Sequence, residues 1–317
     1  MSWSRSLSFS RGPILARLAS NFSGKTALIT GAASGFGLEF ARRAAREKMN
    51  LCLVDVQESA LEKVAVELKE HGVPVLTHPC DVSNSSQMGG LVTSVLSTFG
   101  VPHLLFNNAG VACGGLVWEN SEEDWDWVLG VNVRGVVNGV RLFTPLMLAA
   151  AQQNPTYRGH IINTASMAGL LTPPILGIYN VSKHAVVALS ESLYHDLQLV
   201  TTQVSTSVLC PYYVQTAITK SHKHRPTQEQ TRKPTASQAA AQAITSRAVA
   251  NGKITATQIS DLVFDAIVSN QFYILSHPAA MEAVRTRMEA LLGGHNPPNP
   301  FAARPDLGQE LRKALGS

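Results

Sequence analysis

No stretch of this chain approaches 18 uninterrupted apolar residues, which argues against a membrane-spanning helix. Charge is scarce. Asp, Glu, Lys and Arg make up 15% of the residues, the net charge is +4 and the basic residues form no long block, so a nucleic-acid partner has little to hold. Cys52, Cys80, Cys113 and Cys210 lie far apart without CxxC spacing, a pattern of small core residues in a reducing compartment rather than of a disulfide framework. His222 and His224 are flanked by Lys223 and Arg225 and read as a solvated basic loop, so no metal site is expected. Low-complexity tracts are missing as well. With 45% hydrophobic residues, the 317-residue chain can bury a sizeable core.

Acids are absent before Glu39, whereas Arg5, Arg11, Arg17 and seven Ser fall within the first 23 residues. That composition is similar to a mitochondrial transit peptide. The alternative is a simple N-terminal extension, 1–21, on a cytoplasmic enzyme; a mitochondrial matrix destination follows only if the segment is a targeting signal. In both cases the fold is expected to begin near Phe22.

From Lys25 onward, short apolar runs alternate with helical periodicity, the mark of βαβ units and a parallel sheet. Strands are expected at Thr26 to Ile29, Leu51 to Asp55, Val75 to His78, Leu104 to Asn107, His160 to Thr164, Ser205 to Leu209 and Phe272 to Leu275. Helices are expected at Gly35 to Glu47, Ser59 to His71, Ser85 to Phe99, Ser121 to about Ala151, Tyr179 to Leu199 and Pro278 to Leu292. Ser121, followed by Glu122, Glu123 and Asp124, makes an N-cap with acids suited to the helix dipole. The pattern predicts one α/β domain over 22–294, a Rossmann-type doubly wound, seven-stranded parallel sheet flanked by helices. The alternation stops between Pro211 and Thr257, where a substrate lid of about 212–256 is expected after the sixth strand. A Pro/Asn-rich tail, 295–317, ends the chain.

Two motifs carry chemistry. Thr30-Gly31-Ala32-Ala33-Ser34-Gly35-Phe36-Gly37 follows the first strand and opens a helix, so its backbone N–H groups and the helix dipole can meet a pyrophosphate. Asp55 ends the second strand 18 residues after Gly37, where a carboxylate can bond the adenosine ribose hydroxyls. It would repel a ribose phosphate, and Ala32, Ala33 and Ser34 offer no cation to neutralise one; NAD is therefore expected over NADP. In the second motif Tyr179 and Lys183 lie four residues apart on one helix face, so an ammonium can favour the phenolate of a phenol whose free pKa is near ~10. Ser166 can donate a hydrogen bond to an oxygen on which charge develops.

With these motifs in order, the chain resembles a classical short-chain dehydrogenase/reductase across roughly residues 22 to 276. The resemblance implies a catalytic tetrad of Asn132, Ser166, Tyr179 and Lys183. It also implies cofactor contacts from Gly31, Ala33, Ser34, Gly35, Phe36, Gly37, Asp55, Asp81, Val82, Asn108, Ala109, Gly110, Tyr179, Lys183, Pro211 and Thr216. One departure is Tyr212, which stands where the family has Gly after Pro211; the turn is expected to differ in shape and Tyr212 to project into the substrate pocket. Hydride transfer between NAD(H) and a secondary alcohol or ketone is the reaction implied.

Met167, Leu171, Ile175, Tyr212 and Tyr213 are the candidate substrate contacts, suited to a hydrophobic or aromatic molecule. Seven Lys or Arg against Glu229 in the lid (Lys220, Lys223, Arg225, Arg232, Lys233, Arg247 and Lys253) would instead steer a carboxylate or acyl-CoA substrate. A catalytically idle NAD-binding scaffold is the remaining alternative. The resemblance further implies a homodimer or homotetramer joined through the two long helices, with Ala185-Val186-Val187-Ala188-Leu189 and Leu193 as its apolar surface.

Overall fold

The computed structural model describes residues 22–225 and 233–316; the N-terminal extension, Glu229 and Arg232 lie outside them. Seven strands form one sheet with parallel pairing throughout: β1 (Thr26–Thr30), β2 (Asn50–Asp55), β3 (Val75–Pro79), β4 (Leu104–Asn107), β5 (Gly159–Thr164), β6 (Val204–Cys210) and β7 (Tyr273–Leu275). Each coincides closely with an expected strand. Their order is β3-β2-β1-β4-β5-β6-β7, so the winding reverses between β3 and β4 and leaves a crevice beyond the carboxyl ends of β1 and β4.

Every residue of β1, β4 and β5 is buried, because helices cover both faces of the sheet. Period two still sorts their side chains. Ala27 and Ile29 join one core layer with Phe40, Phe106 and Phe264, while Leu28 turns to the other with Leu105, Phe143, Met147 and Ile161. Phe106 stacks between Phe40 at 4.9 Å and Phe264 at 5.9 Å between centroids.

The helices are α1 (Gly35–Arg46), α2 (Glu58–Lys69), α3 (Ser85–Phe99), α4 (Glu122–Leu129), α5 (Gly135–Gln153), α6 (Gly177–Val200), α7 (Ala236–Ala250), α8 (Ala256–Ser269), α9 (Met281–Leu292) and α10 (Pro305–Ala314). Ser121 caps α4 through a reciprocal box with Asp124. The single helix expected from Ser121 to about Ala151 is in fact divided by a π-turn, Gly130–Arg134. Widening the helix there carries Asn132 inward, where its amide accepts from Val111 N (2.8 Å) and donates to Val111 O (2.9 Å) and Ser182 Oγ (3.0 Å).

Three further expectations change. α8 was not among the expected helices; Thr255 and Gln258 cap it, and it packs on α1 through Arg43, which bonds Asp261 and Glu47. The tail is not irregular throughout. Pro305 starts α10, Asp306 sits in its first turn and Arg312 and Lys313 in its last, and Leu311 and Phe301 join Ile175 and Ala241 in a small apolar cluster. Val186, Val187 and Leu193 face the core rather than solvent, because helical period turns them toward the sheet; Val181 and Ala188 are among the exposed positions of α6. Among the described residues no helix is long and apolar enough to cross a membrane.

Candidate active site

The crevice of the sheet opens into a cleft of about 1330 Å³. Its floor is the turn after β1. Gly31 and Gly35 have φ of 67° and 56°, and a Cβ at Gly31 would press on Ala109 Cα at 2.9 Å, so glycine lets this turn approach the loop after β4. Thr30 locks the two loops together: its Oγ1 accepts from Asn108 N (2.9 Å) and Ala109 N (3.0 Å), and its carbonyl accepts from Asn108 Nδ2 (3.0 Å). α1 begins with no acid in its first turn, and Ser34 makes no side-chain cap. Its leading N–H groups are thus left for an anion.

Gly31, Ser34, Gly35, Phe36, Asp55, Asp81, Val82, Asn108, Ala109, Gly110, Tyr179, Lys183, Pro211 and Thr216 all line the cleft. Ala33 and Gly37 do not. Ala33 N donates to Asp55 Oδ2 (3.1 Å), and Gly37 packs against the Gly31 carbonyl; both shape the turn from behind. Gln57 N bonds the other Asp55 oxygen at 3.0 Å, which fixes the carboxylate toward the cleft. Thr216 stands over Gly35, where an added Cβ would meet its Cβ at 3.5 Å. These walls, with an uncapped helix terminus near a fixed carboxylate, fit a nicotinamide dinucleotide.

The opposite wall comes from β5 and α6. Ser166 ends the strand segment and caps the short turn Met167–Gly169, accepting from Ala168 N (3.1 Å) and donating to Pro211 O (3.4 Å). That turn lies so close on α6 that a Cβ at Gly169 would meet Lys183 O at 2.6 Å, which keeps Ser166 beside Tyr179. Lys183 Nζ donates to Thr164 O (2.9 Å) and lies 5.7 Å from the Tyr179 ring centroid. A Cβ at Gly110 would be 3.6 Å from that Nζ and 3.4 Å from Asn132 Oδ1, so Asn132 braces the site from full burial without lining the cleft.

Tyr179 is part-exposed to the cleft, yet desolvation pushes its phenol up to about 12, with a Ser166 hydrogen bond pulling the other way. Desolvation also lowers Lys183 to about 8. In both groups burial disfavours the charged form.

Met167, Leu171, Tyr212 and Tyr213 line the cleft as expected, but Ile175 does not. Ile175 takes a φ of 55°, rare for a β-branched residue, and is buried against Ala241 of α7 and Leu311 of α10; the periodicity of neighbouring elements gives no hint of this loop path. Tyr212 contacts Tyr213 (4.4 Å) and His277 (5.7 Å). Apart from glycines, only Lys48, Ile175 and Asn270 among the described residues have a left-handed φ, so Tyr212 passes this turn without the angles a glycine would offer.

The segment after β6 contributes a 3-10 stretch, Ala217–His224, and α7 to the lining of the cleft. α7 docks on the loop after β4, where a Cβ at Gly114 would collide with Ala241 Cβ at 2.5 Å. Arg225 anchors the 3-10 stretch: it pairs with buried Asp124 (2.5 Å) and lies 4.5 Å from the Trp127 ring centroid. The basic residues expected to steer an anion are otherwise placed differently. Lys220, Lys223, Lys233, Arg247 and Lys253 are exposed, and none lines the cleft.

The sequence reading missed the far wall. Ala279, Glu282, Ala283, Thr286, Arg287, Ala290 and Leu291 of the α9 region line the cleft, as do His295 and the chain from Pro297 to Ala303. The spacing of Ala279, Ala283, Thr286 and Ala290 on one helix face was the available signal.

The chain matches the family model of the short chain dehydrogenases over residues 25–227. It is similar to a short chain dehydrogenase/reductase from Burkholderia phymatum solved in complex with NAD, with 48% identity and a TM-score of 0.85, covering 89% of this chain and 99% of that one. A metagenomic short-chain oxidoreductase solved with NADP is 32% identical, with a TM-score of 0.56, over 60% of this chain and 83% of that one. The CLA biosynthesis dehydrogenase/reductase of Lactiplantibacillus plantarum is 34% identical over 276 residues, 86% of this chain and 94% of that protein.

Proposed function

The chain belongs to the short-chain dehydrogenase/reductase family of oxidoreductases, and we propose that it interconverts a secondary alcohol and a ketone with NAD, preferred over NADP. The observation that carries this reading is the convergence of Ser166, Tyr179 and Lys183 on one wall of the cleft, facing the glycine turn and Asp55. When bound, the nicotinamide supplies the hydride acceptor or donor. Ser34, Gly35 and Phe36 at the amino end of α1 would hold the pyrophosphate, Asp55 the ribose hydroxyls, and Asp81 with Val82 the adenine. Asn108 to Gly110, Pro211 and Thr216 would border the nicotinamide half.

Tyr179 Oη takes the hydroxyl proton when the alcohol is oxidised and returns it when the ketone is reduced. Ser166 donates to the same substrate oxygen and offsets the charge that develops on it. Lys183 carries the cation that favours the phenolate, and Asn132 keeps the helix open behind it. Because burial alone holds the phenol near 12, the base form depends on positive charge gathered around it. The segment from about 212 to 256 acts as a lid over this chemistry, and a homodimer or homotetramer would use the exposed side of α6 around Val181 and Ala188.

The apolar walls suit a hydrophobic or aromatic substrate. A panel of secondary alcohols, followed by the absorbance of reduced nicotinamide, tests the reading. Turnover should favour NAD and apolar alcohols; turnover with NADP at equal efficiency would overturn the cofactor assignment.

A further inference from the structure

The cleft is larger than the 300–1,000 Å³ or so of an ordinary ligand site, and the residues assigned to cofactor and proton transfer do not account for its far end. One face of the α9 region forms that end. From Ala279 to Leu291 the cleft-lining positions recur every three or four residues, so a continuous helix face borders the cavity. Ala279, Ala283, Ala290, Leu291, Pro297 and Pro300 are among its apolar members, and Glu282, Thr286, Arg287, His295 and Asn299 its polar ones. Its near end meets the catalytic residues, since Ala280, Met281 and Val284 pack in one cluster with Met167 and Leu171, beside Ser166. From Ala279 to Arg287 the helical rise amounts to roughly 12 Å.

Charge on this wall is uneven. Glu282 also lines the cleft, but its side chain is exposed and its charge is paired with Arg285 at 3.7 Å. Arg287 has a different setting: it lines the cleft, is half-buried, and its one recorded bond among the described residues goes to Met288 Sδ at 3.9 Å. A guanidinium with five donors on this wall, without a carboxylate partner recorded among the described residues, matches a carboxylate. The opposite side of this end of the cleft is built in place, since α10 pins the 297–303 chain against α7 through Phe301 and Leu311.

We propose that this far end is a distal subsite for an elongated apolar substrate whose terminal carboxylate is held by Arg287, while its secondary hydroxyl or keto carbon lies at Tyr179. The proposal rests on the alcohol–ketone reading above and locates the anion preference in α9 rather than in the basic lid. Arg287 acts as a specificity-determining residue; it has no part in moving the proton.

The test uses the full-length protein and two readouts. Binding of dodecanoate, which has no hydroxyl to oxidise, is measured by calorimetry for wild type, Arg287→Gln and Arg285→Gln. A lost charge-assisted bond should weaken binding about 10- to 100-fold in Arg287→Gln. Arg285→Gln removes the same charge outside the cleft, leaves Arg287 in place and should weaken binding much less than Arg287→Gln; equal loss in both variants, or no loss in Arg287→Gln, overturns the proposal. The second readout is kcat/KM with NAD for 11-hydroxydodecanoate against its methyl ester. The acid should be preferred by wild type and the preference should shrink in Arg287→Gln. Turnover of both at equal rates sinks the subsite and leaves the reaction standing. Arg287-dependent binding of dodecanoate without turnover of either compound sinks the reaction and leaves the subsite.

Discussion

Replacing Lys183 by Met should make the cofactor-free protein more stable while abolishing its activity. Lys183 is 4% exposed, and burial lowers it from 10.5 to about 8. At pH 7 the folded state therefore holds a cation it disfavours, and the shift of about 2.5 units corresponds to roughly 3 kcal/mol. Met keeps the stem but loses the bond from Nζ to Thr164 O, which costs about 1 kcal/mol. The net gain is on the order of 2 kcal/mol, or roughly 3 °C in Tm for a chain of this length. The sign depends on pH. Between about 8 and 10.5 the unfolded chain binds more protons at this position than the folded one, so wild-type stability rises with pH across that window. The variant's advantage should be full below pH 8, shrink as pH rises, and reverse once Lys183 is neutral in both states. Calorimetric melting of both proteins at pH 7 and pH 10 measures it. A variant less stable than wild type at pH 7, or a Tm difference that ignores pH, would refute the reasoning.

Other consequences can be measured separately. Asp55→Asn removes a carboxylate fixed toward the cleft by Ala33 N and Gln57 N, and the ratio of NAD to NADP efficiency should fall by about 10- to 100-fold; an unchanged ratio would show that Asp55 does not select the cofactor. His160 is buried and its pKa is lowered to about 4, so stability should fall as pH drops from 6.5 toward 4, by up to roughly 3 kcal/mol. Ser207 gives its proton to Gln271 O, so His160 Nε2 donates to Ser207 Oγ. His160→Gln should flatten the stability-against-pH curve in that window, as read by denaturant titration.

How legible these features were depends on whether one residue type is demanded by one position. Gly31 was readable because close backbone approach allows few substitutes, and the strands were readable because burial on both sides leaves continuous apolar runs. Tyr179 and Lys183 were readable from helical spacing, but the direction of their pKa values was not, since spacing carries no information about desolvation. Ile175 was misplaced because its path depends on α7 and α10, which reach it from 66 and 136 residues away through Ala241 and Leu311. Pro297, Pro298 and Pro300 suggested an irregular tail and drew attention away from Pro305, which marks a helix start. The π-turn at Asn132 is set by the buried backbone of Val111, 21 residues earlier, a contact absent from the local pattern.

Proton transfer by Tyr179 is the central claim, and single-turnover oxidation by wild type and Tyr179→Phe tests it most directly, with NAD affinity measured alongside by calorimetry. Phe keeps the ring and its packing but has no group to accept the proton. The account predicts that NAD binds both proteins with similar affinity while reduced nicotinamide forms at least about 1,000-fold more slowly in the variant. Hydride transfer at near wild-type rate in Tyr179→Phe would contradict it.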